Sequence, residues 1–227
     1  MSQTEGTFSK VPAHPLADQL NTIILGDCCR VMKGFPDGSV DLVLTDPPYL
    51  VNYRSRDGRT IAGDTDGSWL LPAFAEAHRV LKPGRFCISF YGWSKAERYL
   101  RAWREAGFRP VGHMAFIKPY TSGSGFLKYQ HEQAYLLAKG RVDLPVSPIS
   151  DVQWLRYTGN RLHPMQKPVR ALMRLVWAFS AEGDVVLDPF CGSGSLLVAA
   201  MRLGRRYVGI EVREDYYEIT RQRLRDG

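Results

Sequence analysis

The sequence lacks the features that would mark a membrane, secreted or metal-binding protein. No apolar run approaches the about eighteen residues that indicate a membrane-spanning helix, and the first twenty residues have no apolar stretch typical of an export signal. The four cysteines include no Cys-x-x-Cys pair, and His78, His113 and His131 have no partner at metal-ligand spacing. We therefore expect a soluble, cytoplasmic protein with neither a disulfide framework nor a metal.

Acidic residues are too few to balance the basic ones. The chain has 23 Asp and Glu against 30 Lys and Arg, a formal net charge of +7 that suits a polyanionic partner. With 227 residues, 44% of them hydrophobic, it can bury one sizeable core, and no internal repeat or low-complexity segment divides it. We expect an N-terminal tail over residues 1–19 and a single domain over residues 20–227.

Short apolar strands alternate with amphipathic helices along the domain. The pattern predicts strands at 22–25, 40–44, 86–90, 110–117, 133–137, 185–187 and 206–211, and helices at 69–80, 94–106, 169–179, 196–203 and 214–225. Trp177, at helical spacing with other apolar residues, is expected in the core. This alternation predicts an α/β fold, a largely parallel sheet with helices on both faces.

The segment Asp46-Pro47-Pro48-Tyr49 follows the apolar strand at 40–44 directly. Each proline fixes its own φ and restricts the residue before it, so the chain leaves the strand stiff and extended. A carboxylate, an unclaimed backbone carbonyl and an aromatic ring then share one small site. Together they suit a flat base with an exocyclic amine, although a strand-ending turn with a capping Asp has the same sequence pattern.

A second strand, at 185–187, runs into a glycine-rich turn and a helix. Asp188 ends the strand, Phe190, Gly192 and Gly194 lie in the turn, and Glu211 ends the next strand about twenty residues later. This is the spacing at which a carboxylate binds ribose hydroxyls, so a nucleoside-containing cofactor fits; glycine used only for packing is the alternative. Because ligands bind beyond the carboxyl ends of parallel strands, both motifs are expected to share one crevice.

The two motifs, in this order, resemble the β-class amino-group DNA methyltransferases, which use S-adenosylmethionine. A block at 163–168 and Gly26-Asp27 are similar to further family motifs, and the resemblance covers about residues 20–225. It implies a Rossmann-like methyltransferase fold with the tetrad Asp46-Pro47-Pro48-Tyr49 as the catalytic site. Ser195 stands where threonine is common. The cofactor residues that the resemblance implies are Asp27, Lys167, Asp188, Phe190, Gly192, Gly194, Ser195 and Glu211.

Two segments outside the alternation are candidates for contact with double-stranded DNA. Residues 50–68 form a long basic loop, and residues 141–162 mix aromatic, amide and guanidinium groups that could read base edges. A solvent loop is the alternative for the first segment. The candidate DNA-binding residues are Arg54, Arg56, Arg59, Arg156, Asn160 and Arg161.

The resemblance implies transfer of a methyl group to the N6 amine of a flipped adenine in duplex DNA. Asp46 and the Pro47 carbonyl would accept the amine hydrogens while Tyr49 stacks on the base. Cytosine N4 or an RNA base also offers an exocyclic amine, although relatives that act on cytosine more often carry Ser at the position of Asp46. A catalytically silent DNA-binding module with a vestigial cofactor pocket is the third alternative. Because relatives of the β class often dimerise, a homodimer is a candidate assembly, and a restriction-modification role with its partner nuclease stays open.

Overall fold

The computed structural model describes residues 14–55, 58–123, 125–145, 147–159, 162–163 and 165–227. Within these residues the chain forms eight strands and six α-helices. The strands are β1 (Thr22–Leu25), β2 (Val40–Thr45), β3 (Leu81–Phe90), β4 (Arg109–Ile117), β5 (His131–Ala138), β6 (Val152–Trp154), β7 (Val185–Asp188) and β8 (Arg206–Glu211). The helices are α1 (Cys28–Met32), α2 (Leu70–Val80), α3 (Ala96–Glu105), α4 (Val169–Phe179), α5 (Ser195–Arg202) and α6 (Glu214–Arg225).

Every predicted helix and strand is present, and α4, α6, β1 and β8 have the predicted bounds. Two elements were missed. Helix α1 is too short for an apolar period, although its N-cap is visible in retrospect because Asp27 Oδ1 accepts a hydrogen bond of 3.0 Å from Arg30 N. Strand β6 lies inside the predicted recognition segment at 141–162, so part of that segment completes the sheet.

The strands form one mixed sheet in the order β1-β8-β7-β2-β3-β5-β4-β6. All neighbouring pairs from β1 to β3 are parallel, and so is the pair of β4 and β6. Only β5, among the described strands, runs antiparallel to its neighbours β3 and β4. The prediction of a largely parallel sheet is therefore confirmed.

Helices cover both faces of this sheet. One apolar layer joins Phe74 of α2 and Trp103 of α3 to Val43 of β2, and the opposite layer joins Leu175 of α4 and Leu197 of α5 to alternate positions of the same strand. Strand β2 is buried along its whole length, as expected for a central strand covered on two sides. The expected core position of Trp177 is wrong, because its side chain is 64% exposed on the outer face of α4.

The strand directions determine which residues meet at the edge of the sheet. Strands β2, β4, β6, β7 and β8 all end at one edge, where Asp46, Asp188 and Glu211 lie at or directly after strand ends. Because β5 runs the other way, its first residues, including Glu132, come to that edge too. Residues from distant parts of the sequence can therefore share one site there.

Candidate functional site

The tip that follows β2 is held rigidly from two sides. The Tyr99 hydroxyl of α3 donates a hydrogen bond to the Pro48 carbonyl, and the Tyr49 hydroxyl donates to Asp46 Oδ1 at 2.7 Å. Gly92 lies so close that a side chain there would meet the Tyr49 backbone at 2.9 Å. Within the described residues the Pro47 carbonyl accepts no hydrogen bond, so the residue after Asp46 keeps a free acceptor, as the prolines predict.

Lys167, from the segment before α4, reaches this tip. Its Nζ lies 2.5 Å from Asp46 Oδ2, 2.8 Å from Glu132 Oε2 and 3.2 Å from the Tyr49 hydroxyl oxygen. An ammonium group has three hydrogens to donate, and each has a partner here. The resemblance implies a cofactor contact for Lys167, and the structure places its ammonium group on the Asp46 carboxylate.

Two residues of this cluster, Glu132 and Lys118, were not predicted. Lys118 directly follows β4, and its Nζ lies 3.5 Å from Glu132 Oε1 and donates to Ser122 Oγ at 2.8 Å. The side chains of Lys118 and Lys167 are each 5% exposed, while that of Asp46 is 22% exposed toward the open crevice. We name Asp46, Glu132, Lys118 and Lys167 the charged cluster.

Burial and mutual charge oppose each other in the charged cluster. Burial raises the pKa of Asp46, and Lys167 partly offsets this effect. Burial alone would also raise the pKa of Glu132, but Lys167 and Lys118 outweigh it and the pKa is lowered. Likewise Asp46 and Glu132 outweigh the burial of Lys167, so that its pKa is raised. Lys167 and Glu132 are thus held in their charged forms at neutral pH.

The glycine-rich turn between β7 and α5 has two glycines with different surroundings. Gly192 (φ 51°) lines the crevice. Gly194 (φ 72°) does not; a Cβ there would lie 2.5 Å from Thr220 Cγ2 of α6, so packing of α6 requires the glycine. Ser195 Oγ accepts a hydrogen bond of 3.0 Å from Arg223 of α6. Packing against Thr220 is thus enough to explain the glycine, and the approach of a ligand to the Gly194 backbone stays a prediction.

Asp188, at the end of β7, lies behind the glycine-rich turn and accepts hydrogen bonds there. Its Oδ1 accepts hydrogen bonds from Thr45 Oγ1 at 2.9 Å and from Phe190 N at 3.1 Å, which ties the β2 tip to the glycine-rich turn. Burial raises the pKa of this carboxyl to about 7. Asp188 and Ser195 line a smaller cleft that they share with Lys167.

A crevice of about 220 Å³ joins the two predicted motifs. The tetrad Asp46-Pro47-Pro48-Tyr49 lines one part of it, and Asp27, Phe190, Gly192 and Glu211 line another, so the expectation of a shared crevice is confirmed. The Trp69 and Phe190 rings lie 4.8 Å apart at its wall. Further lining residues, none of them among the predicted site residues, are Val51, Tyr53, Ile61, Asp64, Trp69, His163, Met165, Val212, Arg213 and Tyr216.

Glu211 ends β8 with its carboxylate in the crevice. Its Oε2 accepts a hydrogen bond of 2.8 Å from Gly192 N, and its Oε1 accepts one of 2.9 Å from Arg213 N. Burial raises its pKa, and these backbone donors partly offset that effect. Each carboxylate oxygen keeps a second lone pair, so Glu211 can still accept hydrogen bonds from a ligand hydroxyl.

The predicted DNA-contacting segments have different positions. In the 50–68 segment, Asp64 accepts hydrogen bonds from Val51 N and Tyr53 N, and this loop forms part of the crevice wall. Arg54 is exposed and pairs with Thr60 by a backbone bridge, while Arg59 is half-buried. Arg156 lines a separate cleft. The predicted DNA-binding residues Arg56, Asn160 and Arg161 lie outside the described residues.

The separate cleft lies beside β6 and the start of α4. Its lining includes Trp154, Arg156, Arg170 and Arg174. Strands β4 and β6 end here, so the cleft lies at the same edge of the sheet as the Asp46 tip. We name it the arginine cleft. Of its arginines, only Arg156 was predicted.

The family model for DNA methylases matches residues 40–222. This chain belongs to that family. Among the described residues, no helix is long and apolar enough to cross a membrane. No group of three or more side chains in the described part of the chain could hold a metal ion.

Similar proteins of the family include two from Escherichia coli (strain K12). YubD, described provisionally as a methylase, is 52% identical over 205 residues, which is 90% of this chain and 90% of that protein. YhdJ, described as a DNA adenine methyltransferase, is 30% identical over 246 residues, which covers 91% of this chain and 83% of YhdJ.

Solved structures share the fold. TTHA0409 of Thermus thermophilus, described provisionally as a DNA modification methylase and solved with S-adenosyl-L-methionine, superposes with a TM-score of 0.71 at 25% identity, over 90% of this chain and 93% of that one. The cytosine-N4-specific PvuII DNA methyltransferase superposes with a TM-score of 0.73 at 18% identity, over 90% and 89%. The latter likeness concerns the fold alone.

Proposed function

We propose that this DNA methylase transfers a methyl group from S-adenosylmethionine to the N6 amine of an adenine extruded from duplex DNA. The observation that carries the proposal is the pair of acceptors at the β2 tip, the Asp46 carboxylate and the Pro47 carbonyl, in the crevice that also contains Glu211. Asp46 favours adenine, since cytosine-modifying relatives more often carry Ser there. The 30% identity with YhdJ, a DNA adenine methyltransferase by description, supports the same base.

The cofactor is S-adenosylmethionine, and the crevice residues fit it. Glu211 has free lone pairs for ribose hydroxyls, and the rings of Phe190 and Trp69 offer apolar surface to a nucleobase. Asp27 lies at the start of α1 on the same crevice. When bound, the cofactor supplies an electrophilic methyl group.

The contribution of Asp46 and Pro47 follows from the weakness of an aromatic amine as a nucleophile. Its lone pair is conjugated into the ring, and it becomes available only as the nitrogen turns pyramidal. Two acceptors that hold the amine hydrogens favour this geometry, so they stabilise the transition state more than the bound base. The hydrogen bond to Asp46 fixes the Tyr49 ring, which would stack on the base.

The arginine cleft would contact the phosphates that flank the extruded base. Arg156, Arg170 and Arg174 bring three positive charges to one concave surface, and the exposed Trp154 ring lies beside them. The cleft lies at the catalytic edge of the sheet, so one duplex could reach both sites. Such contacts supply affinity that does not depend on base sequence and weakens with salt. Arg54 and Arg59 stay candidates for a second contact on the crevice loop.

Nucleoside analysis of the product tests the proposed function. Duplex DNA from a methylation-free host is incubated with the protein and S-adenosylmethionine carrying a labelled methyl group, then digested to nucleosides. We expect the label in N6-methyladenine. Label in N4-methylcytosine, or transfer to RNA but not to DNA, would contradict the substrate assignment, and no transfer to any nucleic acid would favour a silent binding module.

A further inference from the structure

Glu132 has no assigned role, yet it connects the two lysines of the catalytic site. It is the second residue of β5, the strand that runs against its neighbours, and its direction brings Glu132 to the edge where Asp46 lies. One carboxylate oxygen lies 2.8 Å from Lys167 Nζ and the other lies 3.5 Å from Lys118 Nζ. Only 20% of the side chain is exposed.

The charged cluster is balanced. When both carboxylates are ionised, Asp46 and Glu132 balance the two ammonium groups of Lys118 and Lys167. Removing one member of a buried charge network leaves an uncompensated charge in a poorly solvated place, which is strongly unfavourable. The charge of Asp46 therefore depends on residues that do not touch the substrate.

Lys167 is held between two carboxylates and two rings. Its Nζ lies 4.9 Å from the centre of the Phe90 ring and 5.5 Å from that of the Tyr49 ring, in addition to its hydrogen bonds to Asp46 and Glu132. Because Lys167 Nζ has no hydrogen left for another partner, the base amine meets a carboxylate whose orientation is already set. Asp46 still has lone pairs for that amine, since a carboxylate accepts at about four positions.

We propose that Glu132 is a positioning residue of the methyl-transfer site, which holds Lys167 against Asp46 so that the carboxylate meets the amine in a fixed orientation. The inference rests on the proposed function in that it assigns Asp46 to an exocyclic amine. It does not depend on which base carries the amine. Asp46 would be the catalytic residue, and Glu132 would act through Lys167.

The charges of Lys167 and Glu132 should shift the pKa of Asp46 in opposite directions. Lys167 stabilises the ionised carboxylate, so its removal raises the pKa of Asp46, whereas Glu132 destabilises it, so its neutralisation lowers that pKa. The other titratable groups that face Asp46 are Tyr49, Tyr99 and Asp188. They remain in every variant, so differences between variants report on Asp46.

The test is the single-turnover rate of methyl transfer as a function of pH, at saturating S-adenosylmethionine and DNA. In Lys167→Met, the acid limb of the pH–rate profile should shift to higher pH by about 1 to 3 units, the range that one nearby opposite charge produces. In Glu132→Gln, which keeps a hydrogen-bond acceptor for Lys167, the limb should move down. Lys33→Met and Glu105→Gln, exposed substitutions of the same types, should leave the limb where it is.

Calorimetric affinity for S-adenosylmethionine and thermal unfolding show whether each variant is folded. If Lys167→Met does not fold, Glu132→Gln and the variant with both substitutions, which again balances the charge, carry the test. The proposal would be overturned if the acid limbs of the pH–rate profiles of the folded variants stay in place or shift in the same direction. Opposite shifts together with N4-methylcytosine as the wild-type product would support it while contradicting the proposed function.

Discussion

Lys167 Nζ lies 2.5 Å from Asp46 Oδ2, although the two residues are 121 positions apart in the chain. The contact forms because the β2 tip and the segment before α4 meet at the carboxyl edge of the sheet. It joins the tetrad to the block at 163–168, in which the resemblance implies Lys167 as a cofactor residue. The Asp46 carboxylate and the Lys167 ammonium group therefore form one charged unit, which variants at each residue can separate from the proposed cofactor residues.

Glu211→Gln should weaken binding of S-adenosylmethionine while leaving the fold intact. The carboxylate accepts from Gly192 N and Arg213 N, and an amide keeps only one oxygen for these donors and for a ribose. The loss of a hydrogen bond to a charged group corresponds to about a tenfold to hundredfold weaker affinity. Calorimetry measures this affinity. Glu214→Gln, at the start of α6, is the control, and equal affinity in both variants would contradict the assignment of Glu211.

Gly194→Ala should destabilise the protein through a collision with α6. The new Cβ would meet Thr220 Cγ2 at 2.5 Å in a backbone conformation with φ 72°. We expect a loss of about 1–3 kcal/mol in the free energy of unfolding, measured in urea. Gly183→Ala is the matched control, since its φ is 79° and no atom lies within 4 Å of the added Cβ. An equal loss in both variants would show that backbone strain, not packing against Thr220, requires Gly194.

Neutralising the arginine cleft should weaken binding to every DNA sequence alike. Each of Arg156→Ala, Arg170→Ala and Arg174→Ala should reduce the slope of log affinity against log salt by about 0.9, because one phosphate contact is lost. Arg101→Ala, on the exposed side of α3, should leave the slope unchanged. Fluorescence anisotropy at several salt concentrations measures the DNA affinity and hence the slope. If none of the three cleft variants reduces the slope, the arginine cleft is not part of the DNA interface.

Much of the fold could be predicted because its signals are local. Apolar strands and helices alternate along the sequence, and α4, α6 and β8 have the bounds that their patterns indicate. The tetrad and the glycine-rich turn also carry their chemistry in adjacent residues. Since both follow strands of a parallel sheet, their meeting in one crevice could be predicted as well.

The parts that were missed depend on contacts between distant residues. Glu132 lies in the segment His-Glu-Gln-Ala, which has no motif, and it reaches Asp46 only because β5 is antiparallel. Packing against Thr220 requires glycine at position 194, and the sequence alone does not place α6 beside it. Trp177 fits the apolar period of α4, yet it lies at the margin of the buried stripe, where sequence alone does not distinguish core from surface.

Asp46 is proposed to accept the hydrogens of an exocyclic amine in the transition state, and Asp46→Ala tests this role most directly. Calorimetric affinity for S-adenosylmethionine should stay within about tenfold of the wild-type value, because the lost interaction belongs to methyl transfer rather than to cofactor binding. Single-turnover transfer to duplex DNA should fall by about a hundredfold or more, the loss typical of a removed transition-state hydrogen bond. Asp46→Asn keeps the shape of the side chain and one acceptor oxygen, so its rate of methyl transfer should lie between that of the wild type and that of Asp46→Ala. Transfer in Asp46→Ala at the wild-type rate, with cofactor affinity unchanged, would contradict the claim.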